Sequence, residues 1–203
     1  GMTTLTSTGS TGAITLGAIT AAAMTDMTVT TTTGAAIIGS ITAAAMTDMT
    51  VTATTGGVVQ TGAIAAAAMT NLTAETTTGA LSIGALTTGV TASNPLKTVS
   101  YTSTTGKVTV GNISADTGTA ITAMTSYTIV SGINTSANDY GDVNLGADGT
   151  LTTYSVTAGA TAVATNSYGS VTAADVGSIS ITTGNGGGTH VFDSMEDILS
   201  VGD

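Results

Sequence analysis

The sequence predicts an all-β protein, a three-sided parallel β-helix (β-solenoid) of about eight coils with a short C-terminal capping helix. An apolar triplet recurs along most of the chain, glycines five residues apart recur with it, and apolar and polar residues alternate between them. Repeats of roughly 20 to 50 residues are typical of solenoids. We therefore expect a solenoid over 1–189, with regular coils over 1–87 and longer coils over 88–189, and a cap over 190–203.

The apolar triplet marks the first strand of each coil. Its first two members stand three positions apart, the third follows two positions later, and the first member recurs at intervals of 22, 22, 23, 27, 28, 27 and 25 residues. The triplets are Met2-Leu5-Ser7, Met24-Met27-Val29, Met46-Met49-Val51, Met69-Leu72-Ala74, Leu96-Val99-Tyr101, Met124-Tyr127-Ile129, Leu151-Tyr154-Val156 and Val176-Ile179-Ile181. Residues between the members are mostly polar, as in a strand with one buried face. We expect the triplets to stack in rows inside the column.

A second strand is expected between paired glycines. Its inward pairs are Ile14/Leu16, Ala36/Ile38, Val59/Thr61, Leu81/Ile83, Val108/Val110 and Val143/Leu145. The glycine pairs are Gly12/Gly17, Gly34/Gly39, Gly57/Gly62, Gly79/Gly84, Gly106/Gly111 and Gly141/Gly146. We expect these glycines to turn the corners at positive φ, which a residue without Cβ adopts easily.

A third strand follows, and it completes a three-sided coil. Its apolar row is Ile19, Ile41, Ile64, Leu86, Ile113 and Val171. Small residues then occupy the next corner, as in the runs 21–23 and 43–45.

The C-terminal segment departs from this pattern. Ser194 and Asp197 have the spacing of a helix capping box, and Phe192, Met195, Ile198 and Leu199 would lie on one side of a short amphipathic helix. Such a helix would cover the open strand edges of the last coil. The alternative is that the segment docks on a partner.

The charge of the chain excludes some partners. Lys97 and Lys107 are the only bases against 12 acids, for a net charge of −10, so we expect no binding to nucleic acid, whose phosphates require basic residues.

There is no cysteine. We see no apolar run long enough for a membrane span and no signal peptide. Met2 shares the register of Met24, so we expect stacking or self-association through the N-terminal coil.

One stretch is dense in Asp, Asn and Gly. Asp139, Asp142, Asn144 and Asp148 could bind Ca²⁺ through their oxygens, although these residues are also the ordinary residues of turns. No other cofactor is expected. If the protein were a polysaccharide hydrolase or lyase, its candidate catalytic carboxylates would be Asp139, Asp142 and Asp148. A nucleophilic triad would need His190, the only histidine. Pectate lyases, which share the predicted architecture, use Arg or Lys as the base together with carboxylates that bind calcium, and this chain has no arginine. We therefore expect no catalytic residues.

The outward side of the first strand is rich in hydroxyls. Its leading column is Thr6, Thr28, Thr50, Thr73, Ser100, Thr128, Ser155 and Ser180, and its second column is Thr8, Thr30, Thr52, Glu75, Thr102, Val130, Thr157 and Thr182. Two positions along a strand span about 6.7 Å, and adjacent coils lie about 4.8 Å apart. The expected binding face is a two-column grid of hydroxyls. Threonine also favours any exposed strand because it is β-branched.

These residues carry two resemblances. The Thr-x-Thr segments, such as Thr28-Val29-Thr30 and Thr50-Val51-Thr52, resemble the ice-binding faces of antifreeze solenoids, which implies binding to ice. The Thr/Ala/Gly-rich repeats resemble those of bacterial surface adhesins and virion fibres. This second resemblance implies a non-enzymatic structural or adhesive protein on a cell surface, outside the cell or on a virion, with a glycan or a surface receptor as its partner.

Overall fold

The computed structural model is an all-β solenoid of three parallel sheets. It describes residues 1–89, 96–115, 121, 123–132, 137–146, 148–159 and 165–183, and the backbone of 190–192 and 195–196. Each coil adds one strand to each sheet in turn, so a strand pairs with the strands three places before and after it, and the strands at the two ends of each sheet pair on one side only. The predicted fold class is confirmed.

The long strands of the coils form sheet A. They are β1 (Thr4–Gly9), β4 (Asp26–Thr31), β7 (Asp48–Ala53), β10 (Asn71–Thr76), β13 (Thr98–Ser103), β16 (Met124–Ser131), β19 (Thr150–Ala158) and β22 (Asp175–Thr183).

Shorter strands form the other two sheets. Sheet B contains β2 (Ile14–Leu16), β5 (Ala36–Ile38), β8 (Val59–Thr61), β11 (Leu81–Ile83), β14 (Val108–Val110), β17 (Asp139–Tyr140), β20 (Asn166–Tyr168) and β23 (His190–Phe192). Sheet C contains β3 (Ile19–Thr20), β6 (Ile41–Thr42), β9 (Ile64–Ala66), β12 (Leu86–Thr88), β15 (Ile113–Ala115), β18 (Val143–Asn144), β21 (Val171–Thr172) and β24 (Met195–Glu196). Each sheet has eight strands, and the described residues make up about six turns, against about eight predicted.

The apolar triplets form the interior. From the triplet that begins at Met24 to the one that ends at Val156, every member is at most 1 % exposed. Met27 pairs in register with Met49 of the next coil, so equivalent side chains lie in one column. In the first coil Leu5 and Ser7 are only half-buried and Met2 is 44 % exposed. The prediction of stacked interior rows is confirmed, with weaker burial in the first coil and in the last, where Ile179 and Ile181 are half-buried.

The paired glycines are explained by close stacking of coils, which corrects the sequence-based reason. Of the predicted pairs only Gly146 has a positive φ, 81°. A Cβ on Gly34 would lie 2.0 Å from the carbonyl oxygen of Gly12, and one on Gly79 would lie 1.7 Å from that of Gly57. Glycine is needed at these corners because the backbone of the preceding coil occupies the place of a side chain.

The predicted inward pair Val143/Leu145 was placed in the wrong strand. Val143 pairs with Ile113 in sheet C, and the sheet B position next to Val110 is taken by Tyr140. Asn138, one residue before β17, is buried, and its side chain makes the hydrogen bond that a backbone carbonyl of the next coil makes elsewhere in sheet B. Its Oδ1 accepts a hydrogen bond from the Val108 backbone N–H at 2.8 Å, and its Nδ2 donates to Asn166 Oδ1 at 2.9 Å.

The predicted C-terminal helix is also wrong where the structure describes it. Met195–Glu196 is strand β24, which pairs in parallel with Val171–Thr172. Short helices are marginal on their own, whereas a strand here continues an existing ladder. Residues 194 and 197–199 of the predicted helix lie outside the described part.

A buried column of hydroxyls closes the corner after sheet A. Ser103 Oγ donates to the carbonyl oxygen of Gly79 in the preceding coil at 2.9 Å and accepts from the Gly106 N–H at 2.9 Å. Thr76 Oγ1 makes the same pair of contacts, with Gly57 O at 2.7 Å and Gly79 N at 3.2 Å. These buried side chains bond to backbone groups of the corners in their own coil and in the preceding coil.

Candidate binding face

The hydroxyl face is the outward surface of sheet A, defined by the two columns that begin at Thr6 and Thr8. Pairing along the sheet keeps both columns in unbroken register across all eight strands. Thr28, for example, lies between Thr6 and Thr50, and Thr30 lies beside Thr52. The structure therefore brings every predicted face residue together on one surface.

Alternation along each strand sets the orientation of these side chains. In β4 and β7 the burial pattern alternates strictly between half-buried and buried residues. Thr28 and Thr50 are half-buried, whereas Thr6 and Ser180 at the two ends of the leading column are exposed. Half-burial is expected where neighbours in a column about 4.8 Å apart shield one another. The outward residues thus form a close-set polar layer above a closed apolar interior.

Two residues interrupt the second column. Glu75 is exposed and lies in register between Thr52 and Thr102. Val130 is half-buried and lies between Thr102 and Thr157. The leading column has no such break, since each of its eight members is Thr or Ser.

A third outward column extends the face, and sequence reasoning missed it. Its members are Thr4, Asp26, Asp48, Asn71, Thr98, Ser126, Thr153 and Ser178, which pair in register. Asp48 Oδ1 accepts from Asn71 Nδ2 at 2.7 Å, and its Oδ2 accepts from Thr47 Oγ1 at 2.8 Å. The sequence could have shown this column, because each of its residues stands two positions before a residue of the leading column.

The carboxylates of the Asp-rich stretch are separated by the fold. Asp139 pairs with Thr109 and Ser167 in sheet B, whereas Asn144 lies in sheet C, where its Oδ1 accepts the Gly146 N–H at 2.9 Å. Asp148 is exposed after β18. Across the described residues, no group of three His, Cys, Asp or Glu side chains is placed to hold a metal ion.

Asp142 ties together three coils at a corner. Its Oδ2 accepts from Asn112 Nδ2 of the preceding coil at 3.0 Å, and its Oδ1 accepts from the Ser170 backbone N–H of the following coil at 2.8 Å. The Asp142 N–H donates to Asn112 Oδ1 at 3.0 Å. Both carboxylate oxygens thus make structural hydrogen bonds.

Two depressions lie along sheet C. One, of about 320 Å³, includes Asn112, Asp142 and Asn144 in its lining, and the other, of about 160 Å³, is lined largely by alanines around Ala66. The backbone of His190, the candidate for a triad, begins β23 in sheet B. No helix in the described part of the chain is long and apolar enough to cross a membrane.

Comparison with protein-family models, with curated proteins and with solved structures finds no match to this chain.

Proposed function

We propose that the protein is a non-enzymatic structural and adhesive protein of a cell surface or virion, acting outside the cell, and that it binds a repetitive ligand through the hydroxyl face. The observation that carries this proposal is the unbroken register of the leading hydroxyl column over eight strands. A repeating row binds many equivalent groups at once, so individually weak hydrogen bonds add up through multivalency.

The chemistry of the face favours a neutral polysaccharide as the ligand. The net charge of −10 and the carboxylates of Asp26, Asp48 and Glu75 on the face disfavour polyanions. Hydroxyl groups both donate and accept hydrogen bonds, which matches the hydroxyls of a sugar chain. All five tyrosines of the chain are buried, so sugar rings would be held by hydrogen bonds rather than by stacking on tyrosine.

Adsorption to insoluble polysaccharides tests this proposal. We expect the protein to adsorb to microcrystalline cellulose or chitin and to adsorb weakly to an anionic polysaccharide. Thr28→Tyr combined with Thr50→Tyr places two bulky rings in adjacent coils of the leading column and should reduce adsorption at least tenfold. The matched control is Ser82→Tyr with Thr109→Tyr, at paired outward positions of sheet B. Equal loss in both variants, or no adsorption by the native chain, would contradict the proposal.

A second candidate function is binding to ice. The observation that favours it is the block Thr6, Thr8, Thr28, Thr30, Thr50 and Thr52, in which both columns are threonine over three consecutive strands. Each threonine presents a methyl and a hydroxyl group at the regular spacing of the sheet, as an ordered water lattice would require. Thermal hysteresis and shaping of ice crystals in micromolar protein, abolished by the Thr28→Tyr/Thr50→Tyr pair and retained by the sheet B control, would establish this function in place of polysaccharide adhesion.

A further inference from the structure

The N-terminal edge of the solenoid is an open coil formed by β1, β2 and β3, each of which pairs on one side only within the described residues. The inward side chains of this edge are incompletely covered. Ile14 and Ile19 are half-buried, whereas their partners in the next coil, Ala36 and Ile41, are 0 % and 1 % exposed. The edge therefore offers apolar side chains together with unpaired backbone groups.

Two glycines of this coil indicate what covers the edge. In the second coil, a Cβ on Gly34 would lie 2.0 Å from Gly12 O, and one on Gly39 would lie 2.8 Å from Ala18 N. In both cases the overlap is with the coil on the N-terminal side. At Gly12 and Gly17 a Cβ would meet nothing within 4 Å, and neither residue has a positive φ.

Among the described residues, therefore, no contact requires glycine at positions 12 and 17. Glycine has a cost there, since it loses more backbone entropy on folding than other residues. The requirement appears once a further coil stacks on the N-terminal side, because its corner backbone would occupy the place of a Cβ, as the backbone of Gly12 does for Gly34.

The same clash fixes the polarity of the contact. In each clash the Cβ meets the backbone of the preceding coil, on the side of that coil that faces the C-terminus. The edge that covers β1, β2 and β3 must therefore be the C-terminal edge of a parallel solenoid. In the described part of the chain the last strands of the three sheets are β22, β23 and β24. They therefore offer the same three sides, in the same chain order, as the edge they would cover.

We propose that a second copy of this chain stacks on the N-terminal edge in a head-to-tail arrangement, with β22, β23 and β24 of one copy pairing with β1, β2 and β3 of the next. A contact between two different surfaces of the same molecule does not close on itself when it repeats by translation and rotation along an axis, so it builds a filament. In that filament the columns of the hydroxyl face run on from copy to copy.

Sedimentation velocity and negative-stain electron microscopy of the full chain test the stacking. The mass should exceed the 19.4 kDa of the monomer and rise with concentration without reaching a plateau, and thin filaments should be visible. Gly12→Val combined with Gly17→Val should stay monomeric, with the melting temperature that the native chain has in dilute, monomeric solution. The control is Thr15→Val, at an exposed outward position of β2, the strand between Gly12 and Gly17. This variant should assemble as the native chain does.

A mixing experiment tests the polarity. The double valine variant keeps its C-terminal edge, so in substoichiometric amounts it should join one end of native filaments and shorten them. A native chain that stays monomeric at about millimolar concentration, a mass that saturates at a dimer, assembly by the double variant, or unfolding of the double variant would each overturn the proposal. Filaments that the variant does not shorten would overturn the head-to-tail arrangement.

Discussion

The ring of Tyr127 stacks on the ring of Tyr154 in the next coil, with the centroids 5.3 Å apart and the planes 19° from parallel. Tyr101 meets Tyr127 edge to face at 6.2 Å. Aromatic pairs in such geometries contribute about 0.5–1.5 kcal/mol beyond the burial of their area. The interior rows therefore contain Met, Val and Leu in the shorter coils and continue with tyrosine in the longer coils.

Two buried tyrosines differ in their hydroxyl groups, which gives a matched pair of substitutions. Tyr127 Oη has no hydrogen-bond partner, whereas Tyr140 Oη lies 2.8 Å from Ser131 Oγ. Because an unpaired buried hydroxyl is costly, Tyr127→Phe should leave the free energy of unfolding unchanged or raise it by about 1 kcal/mol. Tyr140→Phe should lower it by about 1 kcal/mol. Urea denaturation compares the two, and an equal loss in both variants would contradict the assignment of the partners.

Alkaline pH should destabilise the fold through these tyrosines. Burial raises the pKa of Tyr101, Tyr127 and Tyr154 above the ordinary value of 10.0, because the anionic form would be desolvated. Above about pH 10 the unfolded chain releases phenol protons that the folded chain keeps, so stability that is constant at neutral pH falls as the pH rises. The slope is about 1.4 kcal/mol per pH unit for each buried tyrosine. Tyrosinate absorbance should therefore appear together with unfolding, and its appearance in the folded protein near pH 10 would be the contrary result.

A corner glycine should tolerate a side chain only at the open edge. Gly79→Ala forces a Cβ to within 1.7 Å of Gly57 O, whereas Gly12→Ala meets nothing within 4 Å. We expect Gly79→Ala to lower the free energy of unfolding by about 1–3 kcal/mol or more, as overpacking of an interior does. Gly12→Ala should leave the free energy of unfolding almost unchanged in dilute, monomeric protein. Thermal melting of both variants is the measurement. Similar melting temperatures would show that the corners are not closely stacked.

Calcium should not stabilise the protein. Both oxygens of Asp142 already bond to Asn112 and Ser170, and Asp139 lies on a different sheet from Asn144. The melting temperature is therefore expected to be the same with millimolar Ca²⁺ as with a chelator. Asp142→Ala should lower the free energy of unfolding by about 1 kcal/mol, since it removes the hydrogen bonds from the exposed Asn112 amide and the half-buried Ser170 N–H. A rise in melting temperature with Ca²⁺ that Asp142→Ala abolishes would contradict this account.

The interior and the hydroxyl face could be predicted because both depend on residue identity repeated at a fixed register. Met27, Met49 and Leu72 are apolar in equivalent positions, and a period of two then assigns the threonines between them to the outside. Chain polarity and sheet order follow from the repeat itself.

The errors arose where the repeat changes length or where the reason for a residue lies in another coil. The buried amide of Asn138 lies beside Val108 in sheet B, where the repeat predicts an apolar side chain. The next apolar pair in the sequence, Val143 and Leu145, therefore gives a wrong prediction for this strand. The capping-box spacing of Ser194 and Asp197 is a local signal, whereas β24 is stabilised by pairing with β21. The glycine corners look alike in sequence whether they serve a positive φ or a close contact.

We propose that the ligand binds on sheet A rather than on sheet B or sheet C. Since the chain contains no cysteine, Thr50→Cys, Ser82→Cys and Thr87→Cys place a single thiol on sheets A, B and C respectively, each at a half-buried outward position. Each variant is labelled with a bulky maleimide, and its adsorption to microcrystalline cellulose is measured before and after labelling. The label on Thr50→Cys should abolish adsorption, whereas the labels on the other two sheets should leave adsorption unchanged. Adsorption that survives the label on sheet A, or that is lost with a label on sheet B or C, would contradict this proposal.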